Sequence, residues 1–127
     1  MTLFIPGSFL SHSGLTLPFK IECDALSDDD LATLAKMAGA RIAFQSVIGV
    51  PRGGLRFAAA LEPYAVPYAP ALPRLIVDDV LTTGTSITNL WRDLGRGLNV
   101  KGLVIFARGP CPFWVEAMFT LNSRFGP

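Results

Sequence analysis

Apolar residues along this chain fall into short runs of two different periods, divided by turns rich in Gly, Pro, Ser and Asp. Leu75-Ile76-Val77 and Leu103-Val104-Ile105-Phe106, the latter within Lys101 to Ala107, are unbroken rather than alternating. That is the pattern of strands covered on both faces of a parallel sheet. Arg41 to Val50, with Ile42, Ala43, Phe44, Val47, Ile48 and Val50, predicts another buried strand. Between these runs the period becomes helical. Leu31, Leu34, Ala35 and Ala38 follow the cap residue Ser27 and end at Gly39. Leu55 to Leu61 forms a second helical segment, and Ile87, Leu90, Trp91 and Leu94 share one face of a third that Gly95 or Gly97 stops. This alternation predicts an α/β domain with a mainly parallel central sheet, flanking helices and right-handed crossovers.

The remaining stretches are less regular. Leu17 to Ile21 alternates as a short strand after a polar turn at Ser13-Gly14. Glu62 to Pro73 carries Pro63, Pro67, Pro70 and Pro73, which leaves room for one short strand around Ala65 to Ala69. Gly109 to Pro127 holds Phe113, Trp114, Val115, Met118, Phe119 and Leu121, an apolar tail expected to cover the sheet or a dimer partner.

Composition narrows the setting. With 127 residues, 50% hydrophobic and 17% charged, the chain suits one compact soluble domain with a real core. A formal net charge of +1, with no run of Lys and Arg, argues against nucleic acid or a membrane surface as partner. No apolar run is long enough to span a bilayer, and Met1 to Leu10 lacks the features of a signal peptide, so a cytoplasmic location is expected. Cys23 and Cys111 read as free thiols. His12 has no companions for a metal site. Asp28, Asp29 and Asp30 sit where a helix dipole favours acids, and successive helical positions diverge too far to share a cation.

The chemistry concentrates at Leu75-Ile76-Val77-Asp78-Asp79-Val80-Leu81-Thr82-Thr83-Gly84-Thr85-Ser86. A buried strand here runs through two acids into a hydroxyl- and glycine-rich turn and then a helix. The turn's N–H groups and hydroxyls suit a phosphate at the positive helix end, with Gly84 allowing a tight turn. Carboxylates repel phosphate, so Asp78 and Asp79 suit sugar hydroxyls or a hydrated divalent cation. The combination points to a sugar phosphate with a metal. No Lys follows Gly84, which excludes a Walker-type loop. A second strand–loop–helix unit holds Val50-Pro51-Arg52-Gly53-Gly54, where glycines permit close backbone approach and Arg52 offers a planar fork for phosphate oxygens. One helix terminus contributes about 0.3–1 kcal/mol, whereas micromolar binding needs about 8 kcal/mol, so both loops are required.

The Asp-Asp stretch resembles the signature of type I phosphoribosyltransferases, which bind 5-phosphoribosyl 1-pyrophosphate (PRPP) with Mg2+. The resemblance implies that Asp78 and Asp79 hold the ribose 2′- and 3′-hydroxyls, that Thr82, Thr83, Gly84, Thr85 and Ser86 hold the 5′-phosphate, and that Val50 to Gly54 hold pyrophosphate. Magnesium would be held mainly through PRPP, with Asp78 and Asp79 as possible protein ligands. The N-terminal segment is similar to that of orotate phosphoribosyltransferases, which implies a small N-terminal hood, a place for Phe19 near the base, and a base-facing role for Arg108. Phe19 equally suits a small core, and Arg108 a surface position at a strand end. Where those enzymes carry a long mobile catalytic loop rich in Lys, His and Gly, Glu62 to Pro73 offers nothing equivalent.

The resulting expectation is one phosphoribosyltransferase-like domain, with residues 1–25 as hood, 40–108 as PRPP-binding core and 109–127 as tail. It would join a nucleobase, orotate first, to ribose 5-phosphate in pyrimidine biosynthesis, as a homodimer. The alternative is a non-catalytic sensor of PRPP or a nucleotide.

Overall fold

The computed structural model describes residues 1–10, 16–94 and 99–121. Four strands form one parallel sheet in the order β3-β4-β5-β6: β3 Ser46–Gly49, β4 Arg74–Leu81, β5 Val100–Ala107 and β6 Val115–Thr120. A separate antiparallel hairpin pairs β1, Phe4–Leu10, with β2, Thr16–Ile21. Among the described residues three α-helices complete the fold: α1 Asp28–Arg41, α2 Leu55–Leu61 and α3 Thr85–Asp93.

The unbroken apolar runs are buried on both faces, as the pattern predicts. Leu75, Val77, Leu103 and Ile105 face α1 and α2, joining Leu31, Ala35, Phe57 and Leu61 in the larger core cluster. Ile76 and Val104 face the other way, against Ile87 of α3 and the Trp114-Val115 pair. Trp91 stacks on Trp114 at 5.0 Å between ring centroids, a packing role rather than a ligand platform. At the start of α1, Ser27 and Asp30 form a reciprocal capping box, which accounts for part of the acidic run.

The structure corrects several expectations. The strand expected over Arg41 to Val50 is confined to Ser46–Gly49: α1 continues through Gly39 to Arg41, and pairing with β4 begins only at Ser46. Gly39 answers a packing need instead of ending the helix: a Cβ there would lie 3.0 Å from the Tyr64 ring. β3 occupies a sheet edge, and Ile48 is accordingly exposed. No strand forms at Ala65 to Ala69; Glu62–Tyr64 is a 3₁₀ turn, and Tyr68 adopts a positive φ of 60°. The apolar stretch after Gly109 supplies the sheet's last strand instead of merely covering it. β1 was not foreseen. The Ser13-Gly14 turn, His12, and the helix stop at Gly95 or Gly97 lie outside the described residues.

The expected crossover hand also fails in one place. The β3–α2–β4 and β4–α3–β5 connections step in the same direction across the sheet, with their helices on opposite faces. Two such crossovers have opposite hands, so only one follows the usual right-handed rule.

Parallel pairing has a direct consequence for function. Gly49 aligns with Val77, Leu81 with Ala107, and Ala107 with Thr120, so the loops leaving β3, β4 and β5 emerge on one edge. In open parallel sheets that carboxyl edge is where ligands bind.

At the opposite end, Gly102 is tightly enclosed: a Cβ would lie 2.7 Å from Val115 and 2.8 Å from Trp114. Gly102→Ala should therefore destabilise the fold by about 1–3 kcal/mol through overpacking. The check is a lowered urea midpoint with an unchanged denaturant slope.

Candidate functional site

The loop after β3 is drawn tightly onto β4. Val50 N–H donates to Val77 O at 2.8 Å, and Gly54 N–H donates to Val50 O at 2.8 Å. Gly54 has no room for a side chain, since a Cβ would collide with Val77 O and lie 2.8 Å from Val50 N. A Cβ on Gly53 would fall into the Asp79 carboxylate. The glycines thus allow this loop to touch the acid pair, and α2 begins directly after them. Pro51, Arg52 and Gly53 are exposed along its outer side, and the peptide joining Pro51 to Arg52 is cis. Arg52 has no ion-pair partner among the described residues.

The loop after β4 is a second backbone turn with the makings of an anion cradle. Gly84 stands at the N-cap of α3 with φ of 82°, the left-handed region that glycine adopts without strain. No side chain caps the helix, so its first-turn N–H groups are free to meet a ligand. The Thr83 and Thr85 hydroxyls lie 2.9 Å apart across the turn.

Between the cradles lie the two acids. Asp78 is buried and Asp79 half-buried. Asp79 N–H donates to Asp78 Oδ1 at 2.8 Å, and Val80 N–H donates to Asp79 Oδ1 at 2.7 Å. Burial, and then the hydrogen bond and negative charge of Asp79, push the Asp78 carboxyl up to about 8. Cys23, just past β2, feels the same pair: burial first, then the charge of Asp79, raises its thiol to about 12. The thiol stays protonated, and its position brings the N-terminal segment beside the acids.

The hairpin contributes the remaining feature. The Arg108 guanidinium lies over the Phe19 ring, 4.0 Å from its centroid. Phe4 meets both Phe19 and Phe106 edge-on at 6.1 Å, and Phe119 lies 5.7 Å from Phe106. Arg108 N–H donates to Leu81 O at 2.8 Å, joining this aromatic group to the end of β4. The structure therefore unites the two residues, Phe19 and Arg108, that the sequence linked to a base.

Sequence reasoning missed the supports. Phe4 joins Phe19 to Phe106, which in turn meets Phe119, and the loop after β5 braces the Thr82–Ser86 turn. A Cβ on Gly109 would lie 2.7 Å from Thr82 O, and one on Gly84 would lie 3.5 Å from Pro112. The Gly109-Pro110-Cys111-Pro112 run directly after a buried strand was the available signal for that brace. Glu62 to Pro73 is tied to the amino edge of the sheet, away from these loops. Gln45 Nε2–H donates to Leu72 O at 2.9 Å, and Asn99 Nδ2–H donates to Ala71 O at 3.1 Å.

No cluster of three or more His, Cys, Asp or Glu side chains suited to a metal occurs among the described residues. Two acids flanked by anion cradles nevertheless suit a magnesium ion that arrives on a phosphorylated ligand and retains most of its waters. Such an ion would favour loss of the Asp78 proton.

Without ligand, Asp78 holds its proton more tightly in the folded than in the unfolded chain between about pH 4 and about pH 8. Its stabilising contribution is therefore complete at the acid end and is lost as pH rises through that window. Denaturant midpoints should decline for the wild type over this range and lose that slope in Asp78→Asn. A wild-type profile that stays level or rises would contradict the protonated carboxyl.

No protein-family model and no curated protein matches the chain by sequence. Solved structures do match it. Orotate phosphoribosyltransferase from Aeropyrum pernix is 24% identical, with 93% of this chain covering 88% of that one at a TM-score of 0.70. UMP synthase from Leishmania donovani is 18% identical at a TM-score of 0.73, with 94% of this chain covering 34% of that one. A hypoxanthine-guanine-xanthine phosphoribosyltransferase is 15% identical, with 74% of this chain covering 75% of that one at 0.51. The chain has the fold of the type I phosphoribosyltransferases.

Proposed function

We propose that this protein is a PRPP-dependent phosphoribosyltransferase of orotate-like type, joining a nucleobase to ribose 5-phosphate with release of pyrophosphate. The observation that carries this reading is the contact between the glycine loop after β3 and Asp79, with a second anion cradle on the same strand as the acid. A ligand bearing phosphates at both ends of a hydroxylated sugar would fit across it.

The 5′-phosphate would occupy the Thr82–Ser86 turn, receiving N–H groups from the start of α3. Asp78 and Asp79 would accept the ribose hydroxyls and favour positive charge developing on the sugar. Val50 to Gly54 would hold pyrophosphate, with Arg52 turned toward its oxygens. Magnesium would supply charge neutralisation on the pyrophosphate. Anchoring both ends of PRPP fixes the anomeric carbon between the leaving group and the base side, where Phe19 and Arg108 stand. This reading includes a cytoplasmic role in pyrimidine nucleotide synthesis and a homodimer.

The pinned Glu62 to Pro73 connection favours a second reading, a PRPP- or nucleotide-binding sensor. With no lid drawn from this segment, exclusion of water from the reacting carbon would rest on other parts of the protein.

Pyrophosphate release from Mg-PRPP, with orotate, uracil and purine bases offered separately, distinguishes the readings. The transferase should act on one base and lose at least about 100-fold in turnover in an Asp78→Asn, Asp79→Asn variant. Calorimetric binding of PRPP without release on any base would instead establish the sensor. Gly53→Ala should push the loop off Asp79 and weaken pyrophosphate binding by about tenfold or more, leaving ribose 5-phosphate binding nearly unchanged.

A further inference from the structure

The amino edge of the sheet, opposite the acids and their loops, holds a cavity that the proposed function does not use. Its volume is about 630 Å³, within the range of about 300–1,000 Å³ that small-molecule sites occupy. Val100 and Trp114 supply apolar lining, and Phe113 joins them while remaining 94% exposed, an aromatic ring that its own chain leaves uncovered. Lys101, Glu116 and Asn99 supply the polar lining. Lys101 Nζ lies 3.4 Å from Glu116 Oε2 on the neighbouring strand, with both side chains half-exposed. Such a surface pair is worth little, so a ligand can exchange into it at small cost. Asn99 spends a side-chain N–H on Ala71 O, and its Oδ1 can still accept. A ligand with a carboxylate alone would meet Glu116, and one with an ammonium alone would meet Lys101. A zwitterion satisfies both.

We propose that this cavity is a second ligand site, for an aromatic α-amino acid, and that its occupancy is felt at the Thr82–Ser86 turn. The ligand carboxylate pairs with Lys101, its ammonium with Glu116 and Asn99 Oδ1, and its ring packs against Phe113. The link to the turn is the crossover from β5 to β6, Arg108 to Trp114. Gly109 at its start lies against Thr82 O, Pro112 lies beside Gly84, and Phe113 follows at once. Val115 N–H donates to Pro112 O at 3.0 Å and Gly102 N–H donates to Trp114 O at 2.8 Å, so the backbone is held on both sides of Phe113. A ligand that draws the Phe113 ring over the cavity therefore acts on the residue that supports the turn. The effect on the turn rests on the phosphoribosyl-transfer reading above, whereas the cavity stands without it.

The test is calorimetric binding of L-phenylalanine, with phenylacetate and phenethylamine as probes that each lack one charge. L-phenylalanine should bind about tenfold or more tightly than either, and Phe113→Ala should weaken it by about tenfold. Lys101→Met, a second exposed position, should abolish its advantage over phenethylamine. Equal binding of the three probes, undiminished binding in Phe113→Ala, or no binding of L-phenylalanine at millimolar concentration overturns the site. Ribose 5-phosphate titrated with and without saturating L-phenylalanine reads the link to the turn. Its affinity should change by about threefold or more, and L-phenylalanine should show the same change in return. Constant affinity overturns the link and leaves an independent site. Ribose 5-phosphate that fails to bind while L-phenylalanine binds defeats the phosphoribosyl reading, and the link with it, but not the cavity.

Discussion

The close approach of the glycine loop after β3 to the carboxyl end of β4 is the constraint on which the site depends. It requires that Gly54 present only hydrogen toward Val77 O and that Gly53 leave space beside Asp79. The approach is maintained by Val50 N–H donating to Val77 O, one step beyond the regular β3–β4 pairing. From that contact follow the nearness of Arg52 to the acids and the emergence of α2 directly behind the loop. A similar economy of space operates on the other side, where Gly109 lets the loop after β5 rest against Thr82 O. Backbone fit, more than any single side-chain interaction, therefore determines where a ligand's charged groups can lie.

Electrostatics then gives the fit its chemical meaning. Burial makes a charged Asp78 costly, the hydrogen bond and negative charge of half-buried Asp79 add to that cost, and the raised Asp78 carboxyl expresses it. The free helix terminus of α3 and the exposed Arg52 supply the opposite sign nearby, but neither neutralises the pair in the ligand-free chain. On the proposed reading, a phosphorylated sugar carrying a divalent cation would complement all of these features together. Phosphate alone would meet the acids, and a bare sugar would leave the cradles empty.

The fold explains how so short a chain achieves this arrangement. Four in-register parallel strands place the loops leaving β3, β4 and β5 on one edge without further scaffolding. The opposite edge is occupied by the proline-rich connection, pinned by Gln45 and Asn99. That connection cannot serve as support for the sheet's amino edge and as cover for the carboxyl edge in this conformation.

Much of this was legible in local sequence. Continuous apolar runs identified β4 and β5 and helical spacing identified the three helices, because each depends on neighbours within a few positions, and the Asp-Asp turn marked where the proposed site lies. Tertiary structure decided what depends on distant partners. β3 is short because its pairing with β4 begins only at Ser46, Gly39 lies within α1 where it leaves room for Tyr64, and the C-terminal apolar stretch became β6 because an open strand edge on β5 was available to it. The meeting of Phe19 with Arg108, far apart in the chain, follows from the hairpin packing near the end of β5. Sequence by itself determined the types of element through short-range periodicity, and it marked the strand-to-helix turns on which the proposed site is built. Only the fold determined which loops touch, since that follows from long-range pairing and from the volume each residue leaves free.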